Sequence, residues 1–449
     1  MKLDTIYALS TPPGRGGVAV IRASGPDSRS GLLALSAQGK KLPEARVATY
    51  WVLRDPEDKS VILDKAMVIY FAGPSSFTGE DCVEYHLHGG PSVIEAVLDA
   101  LSRQPHHRLA EPGEFTRRAF ENGKLDLTSA EAVADLIHAE TQEQRRQALM
   151  QMGGALAKIY DSWKDDLAHI LALMEADLDF SDQDLPDDLL LRVRPDLSHI
   201  LDQITLHLND NRRGEMLRDG VKLVVLGAPN AGKSSLINLL AQRDVAIVSH
   251  IAGTTRDIID VHLNLGGYPV ILSDTAGLRP DQLGESDHDR IESEGIRRAI
   301  QRAEEADIKI LMYDGTSTPD QHTLALLDNS AILVRNKTDL IDTQKASSNS
   351  HGIAISTKSG QGIDKLLEQV TTLIKNKIGQ SDTPSLTRQR HRTALEKTKQ
   401  ALLRSMQAPL PELAAEDIRL AVRHLGSITG KVDVEDLLDM IFRDFCIGK

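Results

Sequence analysis

One short stretch, Val221–Ser235 (VKLVVLGAPNAGKSS), constrains the fold of this chain more than any other. The apolar, β-branched run at its start predicts a buried strand, and an amphipathic pattern from Lys233 predicts a helix. Between them, Gly227, Gly232, Lys233 and Ser234 match the pattern G-x-x-x-x-G-K-[ST]. Glycines let the backbone curl so that its N–H groups point at an anion, and the helix N-terminus adds its dipole. The stretch therefore predicts a phosphate-binding loop, with a Gly-rich turn that only connects a strand to a helix as the alternative.

The chemistry of such a loop assigns roles to its polar side chains. Lys233 is predicted to bridge the β- and γ-phosphates of a nucleoside triphosphate, and the Ser234 hydroxyl is predicted to bind Mg²⁺. The other residues predicted to line the nucleotide in this stretch are Asn230, Ala231, Gly232 and Ser235.

A second apolar strand, Tyr268–Ser273, ends at the sequence DTAG. An aspartate at the carboxyl end of a neighbouring parallel strand is where a carboxylate that supports Mg²⁺ belongs. The nucleotide-binding residues predicted here are Asp274, Thr275, Ala276 and Gly277.

A third strand, Ile332–Arg335, precedes the sequence NKTD. The carboxylate of Asp339 can accept two hydrogen bonds from the N1–H and the exocyclic amine of guanine. Adenine offers neither donor on that edge, and sites built this way discriminate by roughly 10⁴ or more. The nucleotide-binding residues predicted here are Asn336, Lys337, Asp339, Ser356, Thr357 and Lys358. Three motifs in this order, each after a strand, predict a GTPase of the Ras-like kind.

The segment VAIVSHIAGTTR, residues 245–256, lies between the predicted loop helix and the next strand. Thr254 and Thr255 are candidates for sensing the γ-phosphate and Mg²⁺. Many GTPases carry a glutamine after DTAG to orient the attacking water, but this chain has Leu278, which cannot do so. It must therefore use another residue or a partner, or hydrolyse slowly. The other nucleotide-binding residues predicted in this segment are Ser249, His250, Ile251, Ala252 and Gly253.

Length and composition bound the remaining possibilities. A chain of 449 residues with 41% hydrophobic residues predicts two to four domains with packed cores. It contains no apolar run long enough to span a bilayer, and its N-terminus lacks the shape of a secretory signal. Only two cysteines occur, so no disulfide framework is implied, and a cytoplasmic location is the simplest expectation. The net charge of −13 argues against non-specific nucleic-acid binding but does not exclude a local basic groove.

The first hundred residues alternate short β-like runs with turns and predict an α+β domain distinct from the GTPase. The predicted strands are Gly17–Arg22, Ala48–Leu53, Ala66–Phe71 and Cys82–Leu87, followed by a helix at Pro91–Ser102. Period-two alternation places Cys82, Glu84, His86 and His88 on one face of the last strand. This face is interpreted first as a binding face for a polar small molecule. A packed strand edge and, less favoured, a metal site are the alternatives.

Long amphipathic patterns predict a helical domain on both sides of the GTPase. The predicted helices are Ser129–His138, Thr141–Met152, Ala155–Asp179, Leu189–Leu208, Leu386–Met406, Leu413–Leu425 and Val434–Phe445. Pro195 predicts a break within the fourth. A group of basic residues precedes the first helix and is either a solvated helix face or a contact for an anionic ligand: Arg108, Arg117, Arg118 and Lys124. The simplest architecture is a helical domain in two halves that pack together, with the GTPase inserted between them.

These motifs, together with TPPGRGG (11–17), FTGEDCVEYHLHGG (77–90) and the terminal sequence FCIGK (445–449), resemble the MnmE (TrmE) family of tRNA-modification GTPases over essentially the whole chain. The resemblance implies an N-terminal α+β tetrahydrofolate-binding-like dimerisation domain, a helical domain in two halves and an inserted Ras-like α/β P-loop GTPase domain. The predicted ranges are 1–122, 123–219 with 379–449, and 220–378.

The resemblance also implies an activity. With an FAD-dependent MnmG/GidA-type partner in a heterotetramer, members of this family add a carboxymethylaminomethyl or aminomethyl group to carbon 5 of the wobble uridine of certain tRNAs. The family forms homodimers and uses 5-formyl- or methylene-tetrahydrofolate. The residues that match its folate contacts are Arg22, Glu84, Lys124 and Lys449. Basic groups suit the glutamate tail of a folate, and a carboxylate suits the donor edge of a pterin.

The family further implies K⁺-stimulated GTP hydrolysis in which two GTPase domains dimerise across their nucleotide faces. The resemblance assigns Glu292 as the catalytic residue that positions water. It assigns Mg²⁺ to Ser234 and Thr255, and K⁺ to Asn230, Ser249, Ile251 and Thr254. Two features differ from the family pattern: Ser249 stands where threonine is more usual, and the segment 279–290 is longer.

Two alternatives stay open at this stage. Cys446 is either important for the modification chemistry or a small buried apolar residue. The whole protein is either the modification enzyme or a regulatory or assembly switch whose GTP state recruits partners without folate chemistry.

Overall fold

The computed structural model describes residues 4–179, 189–243, 245–247, 260–273, 304–341, 352–379, 384–432, 435–443, 445 and 447–448. Among the helices in these ranges, none is long and apolar enough to cross a membrane.

The first sheet contains six strands in the order β3-β4-β5-β2-β1-β6. Its pairings are antiparallel except for that between β1 and β6. The strands are β1 (Thr5–Leu9), β2 (Gly16–Ser24), β3 (Thr49–Arg54), β4 (Ile62–Phe71), β5 (Cys82–Gly89) and β6 (His107–Leu109). Helices α1 (Ser28–Ala34) and α2 (Pro91–Ser102) lie between them in the chain. The four strands and the helix predicted here are confirmed, with β1 and β6 in addition.

Alternation along β5 explains how this sheet is held. Val83, Tyr85 and Leu87 are buried, and they join a core with Trp51 and Leu101. The intervening side chains point to the opposite face, where β2 and β5 run antiparallel and Arg22 stands directly opposite Glu84. Register therefore places a cation and an anion side by side on the polar face.

The second sheet contains six strands in the order β12-β11-β10-β7-β9-β8. It is parallel except for the hairpin of β8 and β9, which turns at Gly266-Gly267. The strands are β7 (Val221–Leu226), β8 (Asp260–Leu265), β9 (Tyr268–Ser273), β10 (Ile308–Asp314), β11 (Ala331–Asn336) and β12 (Ile353–Ala354). A buried apolar core covers the sheet, as expected for parallel strands flanked by helices. This is the α/β GTPase architecture that the motifs predict.

The remaining helices are α3 (Glu114–Glu121), α4 (Leu127–His138), α5 (Gln142–Met152), α6 (Ala155–Asp179), α7 (Leu189–Leu208), α8 (Arg213–Asp219), α9 (Lys233–Ala241), α10 (Gln321–Ala325), α11 (Ile363–Ile378), α12 (Gln389–Ser405), α13 (Pro411–Thr429) and α14 (Glu435–Arg443). The helical domain predicted on both sides of the GTPase sheet is thereby confirmed. Helix α7 from the first half contacts α12 from the second, where Arg194 Nη2 donates to the Met406 carbonyl at 3.1 Å.

The predicted break at Pro195 is wrong, because α7 runs through it without interruption. A proline within a helix removes one backbone donor and crowds the carbonyl four residues earlier. Buried Val193, Leu197, Ile200 and Ile204 hold the helix on both sides of the proline. Tertiary packing therefore outweighs the local penalty.

The chain divides into two compact units, each built from separate sequence segments. The first contains Met1–Ala134, Met152–Asp165 and Arg423–Lys449, and the second contains Asp135–Gln151 and Asp166–Val422. The sheet of β1–β6 lies in the first unit, and the sheet of β7–β12 lies in the second.

Candidate functional site

The loop after β7 adopts a conformation that depends on two glycines. Gly227 has φ +146°, and a Cβ there would lie 1.9 Å from the Met312 carbonyl oxygen. Gly232 has φ +99°, and a Cβ there would lie 2.1 Å from Asn336 Nδ2. Because both positions combine left-handed backbone with close approach, only glycine fits without a shift of the neighbouring strands. The predicted strand–loop–helix arrangement is present.

Lys233 is the first residue of α9, and its ammonium lies against the same loop. Nζ donates to the carbonyls of Gly227 and Ala228 at 2.8 and 2.9 Å. Ser234 and Ser235 follow in the first turn of the helix. The first-turn N–H groups of a helix have no intrahelical acceptor, so this end of α9 suits an anion.

Asn336 connects three segments that lie far apart in the sequence. Its side chain is fully buried at the end of β11. Nδ2 donates to the Ala231 carbonyl at 2.8 Å, and Oδ1 accepts from the Thr357 amide at 3.0 Å. The structure therefore brings together the phosphate-binding loop, the NKTD sequence and the segment after β12.

Asp339, predicted to recognise guanine, is exposed and oriented by one side-chain contact. Its Oδ1 accepts a hydrogen bond of 2.6 Å from the buried Ser356 hydroxyl. The Ser359 amide in turn donates to Ser356 Oγ at 3.1 Å. One carboxylate oxygen is thereby fixed, and the side chain stays open to solvent at the rim of the site. Lys358 is also exposed.

Lys337 has a partner that the sequence analysis does not predict. Its Nζ lies 2.7 Å from Asp314 Oδ2, at the end of the adjacent strand β10. The hydrogen bond from Lys337, with those from Thr316, lowers the pKa of Asp314 to about 2. An acidic residue at the carboxyl end of an apolar run (IKILMYD) is a sequence signal that marks Asp314 as a candidate site residue, although it does not indicate the pairing with Lys337.

Asn230 is exposed and has φ +63°, a conformation that asparagine tolerates better than most residues. The other predicted nucleotide, metal and catalytic residues lie outside the described residues: Ser249, His250, Ile251, Ala252, Gly253, Thr254, Thr255, Asp274, Thr275, Ala276, Gly277 and Glu292, together with Leu278.

A second polar site lies on the first sheet. Arg22 Nη2 and Nε donate to Glu84 Oε1 at 2.9 and 3.1 Å. The guanidinium of Arg22 also lies over the rings of Phe77 and Phe115, with centroid distances of 5.6 and 5.8 Å. The two predicted folate contacts are thus paired with each other on an aromatic bed.

Lys124 lies in an open depression next to this pair. The depression is lined by Arg46, Phe71, Ser75, Ser76, Phe77 and Lys124. Phe77 therefore contacts Arg22 on one side and lines the depression on the other. Phe77 thus links the Arg22–Glu84 pair to the depression that Lys124 lines, whereas Lys449 and Cys446 lie outside the described residues.

The polar side chains along β5 were considered above as an alternative metal site, and the structure gives the partners of each. His86 Nε2 lies 3.3 Å from Glu84, and His88 Nδ1 lies 2.8 Å from Asp64. Cys82, at the start of the row, is buried beneath Thr78 and Ser24, whose hydroxyl oxygens lie 3.2 Å from its Sγ. Within the described ranges, no group of three or more His, Cys, Asp or Glu side chains is arranged to hold a metal ion.

Three of the four basic residues considered as ligand contacts are engaged within the chain. Arg108 pairs with Glu114 at 2.5 Å, and Arg118 pairs with Glu114 and Glu80, each at 3.1 Å. Arg117 pairs with Glu121 at 3.0 Å and with Asp439 at 2.8 Å. These three side chains hold the first unit together, and Lys124 is the member of the group that lines the depression.

The chain is similar to known proteins along its whole length. A family model described as GTP-binding protein TrmE N-terminus matches residues 5–124, and a model described as MnmE helical domain matches residues 127–446. A tRNA modification GTPase MnmE from Rhodospirillum rubrum is 48% identical over 464 residues, and one from Parvibaculum lavamentivorans is 50% identical over 451 residues. Both alignments cover 100% of this chain and 100% of the relative.

Solved structures that match include a single-residue variant of Aquifex aeolicus Era bound to GDP·AlF4⁻, at 24% identity and a TM-score of 0.26. The match covers 42% of this chain and 69% of that one. The G domain of the T. maritima FeoB iron transporter matches at 24% identity and a TM-score of 0.23, covering 34% of this chain and 98% of that one.

Proposed function

The chain belongs to the MnmE family of tRNA modification GTPases, and we propose that it is a K⁺-stimulated GTPase acting on the wobble uridine of certain tRNAs. It hydrolyses GTP in tRNA modification, as its family does. The finer proposal is that it adds a carboxymethylaminomethyl or aminomethyl group to carbon 5 of that uridine. It does so as a homodimer, in a heterotetramer with an FAD-dependent MnmG/GidA-type partner.

The observation that carries the GTP-binding part of this proposal is the junction at Asn336, which connects the phosphate-binding loop to the NKTD sequence and the segment after β12. These groups fit a guanine nucleotide: the first-turn amides of α9 and Lys233 would donate to the phosphates, and the Asp339 carboxylate would accept from the base. Ser234 and Thr255 would hold Mg²⁺. Asn230, Ser249, Ile251 and Thr254 would hold K⁺.

Such cations supply positive charge next to the phosphates, where negative charge develops during hydrolysis. The chain itself would position the nucleotide through the glycine loop and exclude wrong bases at Asp339. Glu292 would orient the attacking water in place of the missing glutamine. Dimerisation of two GTPase domains during hydrolysis would then drive conformational cycling.

The potassium proposal is tested by comparing GTP turnover in KCl and NaCl at equal ionic strength. Turnover should rise at least about tenfold in KCl, because a cation beside the phosphates replaces an arginine finger worth roughly 10³–10⁵ in other GTPases. Asn230→Ala should lose the excess rate in KCl while keeping most of the affinity for GDP, measured by calorimetry. Equal rates of the wild-type chain in both salts would remove the potassium claim.

The folate proposal separates the modification enzyme from a regulatory switch. The polar site at Arg22 and Glu84 should bind 5-formyltetrahydrofolate, and Arg22→Ala or Glu84→Ala should weaken binding by at least about tenfold, because each loses charge-assisted hydrogen bonds. Arg103→Ala is the matched control, since it removes an arginine–carboxylate pair with Asp55 of 2.6 Å at the end of α2. Absence of binding to the wild-type chain would favour the switch.

A further inference from the structure

The ammonium of Lys337 is held at the edge of the second sheet by a carboxylate from the neighbouring strand. Strands β10 and β11 are parallel, and Asp314 stands directly beside Asn336 in their register. The chain turns after Asn336 into Lys337, which has φ +61°. Nζ of Lys337 then lies 2.7 Å from Asp314 Oδ2.

The Asp314 carboxylate is itself fixed. Its Oδ1 accepts from the Thr316 amide at 2.9 Å and from the Thr316 hydroxyl at 2.8 Å. The Gly315 amide donates to the Asn336 carbonyl at 2.8 Å, which ties the two strand ends together. Each carboxylate oxygen therefore has a defined task, and one faces Lys337.

We propose that Asp314 is a positioning residue for guanine-nucleotide binding and acts through Lys337. This inference rests on the proposed placement of the NKTD sequence at the base. A lysine side chain has many rotamers, and ordering it on binding costs free energy. The ion pair orders the ammonium end in advance, so less of that cost falls on nucleotide binding.

This role differs from base recognition by Asp339. Asp314 is engaged by Lys337 and Thr316, and it makes no contribution to reading the exocyclic amine of guanine. Loss of Asp314 should therefore weaken GDP and IDP by the same factor, although IDP lacks that amine. Changes at Asp339 should instead alter the preference between bases.

The test is a double-mutant cycle on the full-length chain, with GDP affinity measured by isothermal titration calorimetry. Asp314→Asn should weaken GDP and IDP about tenfold each, the effect of one hydrogen bond between charged groups. Turnover at saturating GTP should change less than about twofold, because the ion pair acts in nucleotide binding and not in the chemical step. In a Lys337→Met background, Asp314→Asn should cause no further loss. Asp314→Glu should recover most of the affinity.

The chain offers a closely matched control at the other end of β10. Asp328 pairs with Lys309 at 2.5 Å and accepts from the amide and hydroxyl of Ser330, which repeats the geometry around Asp314. Asp328→Asn should leave GDP affinity unchanged.

The inference is overturned if Asp314→Asn binds GDP as tightly as the wild-type chain. It is also overturned if the variant weakens GDP equally with and without Lys337, or if Asp328→Asn has the same effect. A folded wild-type chain that binds no GDP would instead remove the proposed function itself.

Discussion

At the scale of single residues, the phosphate-binding loop depends on two glycines at positions where a side chain would clash. Gly227 and Gly232 touch two different strands: one approaches the Met312 carbonyl of β10, and the other approaches the Asn336 side chain of β11. The loop is therefore shaped by the sheet as well as by its own sequence. A side chain at either position would displace a strand end that carries part of the base site.

Gly227→Ala should abolish GDP binding and destabilise the second unit by about 3 kcal/mol or more, because left-handed strain adds to a backbone clash. Gly379→Ala is the matched control: its φ is +69°, but no atom lies within 4 Å of the added Cβ. That variant should cost about 1 kcal/mol and keep GDP binding. Thermal unfolding and calorimetry measure both effects, and equal behaviour of the two variants would contradict the steric account.

Motif residues could be predicted from the sequence, but their partners could not. Pattern and spacing identify Lys233, Asn336 and Asp339, because the chemistry of nucleotides requires those groups in that order. Asp314 lies 23 positions before Lys337 and meets it only because β10 and β11 align in one register. The register between these strands depends on the packing of the whole sheet, which cannot be predicted from a local sequence pattern.

At the scale of elements, long periodic segments were predicted well and short ones were not. Strand β6 has three residues, and its partner β1 has five. Both are too short to show a clear alternation of apolar and polar residues. Length does not explain the apolar strand β10, which has seven residues, one more than β7, and which no sequence motif indicated. Helix α7 shows the opposite error, since a proline signal was outweighed by buried contacts on both sides.

The end of α7 predicts a pH dependence of stability. Burial lowers the pKa of His207 from 6.5 to about 4; Asp210 opposes this, whereas Arg213, Arg392 and His391 reinforce it. As the pH falls, His207 therefore becomes protonated in the unfolded chain before it does so in the folded chain. The stability that the neutral imidazole contributes is complete above pH 6.5 and is lost as the pH falls towards 4.

His207→Gln should make the decline in unfolding temperature between pH 6.5 and pH 4 shallower. His199→Gln, on the exposed side of the same helix, is the control and should leave the slope unchanged. Identical slopes for the wild-type chain and His207→Gln would contradict the assignment.

At the scale of the whole molecule, sequence order and spatial order diverge. The Ser10 hydroxyl donates to the Gly448 carbonyl at 2.9 Å across 438 positions, within the first unit. In the second unit, Arg392 joins α12 to Asp210, beyond the end of α7, at 2.7 Å. The insertion of the GTPase between two halves of a helical domain could be predicted from a change in periodicity and is confirmed. The two contacts between distant residues could not be predicted. The proposed domain limits of 1–122, 123–219, 220–378 and 379–449 remain predictions.

The carboxylate of Asp135 lies where the chain enters and leaves the GTPase sheet. Arg218, just before β7, and Arg388, just after the last helix of the GTPase sheet, both reach its Oδ1, at 3.1 and 2.7 Å. The chain thus leaves and re-enters the helical scaffold within the combined reach of two arginine side chains. A short glycine–serine splice placed next to Asp135 would be the shortest way to rejoin the helical segments in a variant that lacks the nucleotide module.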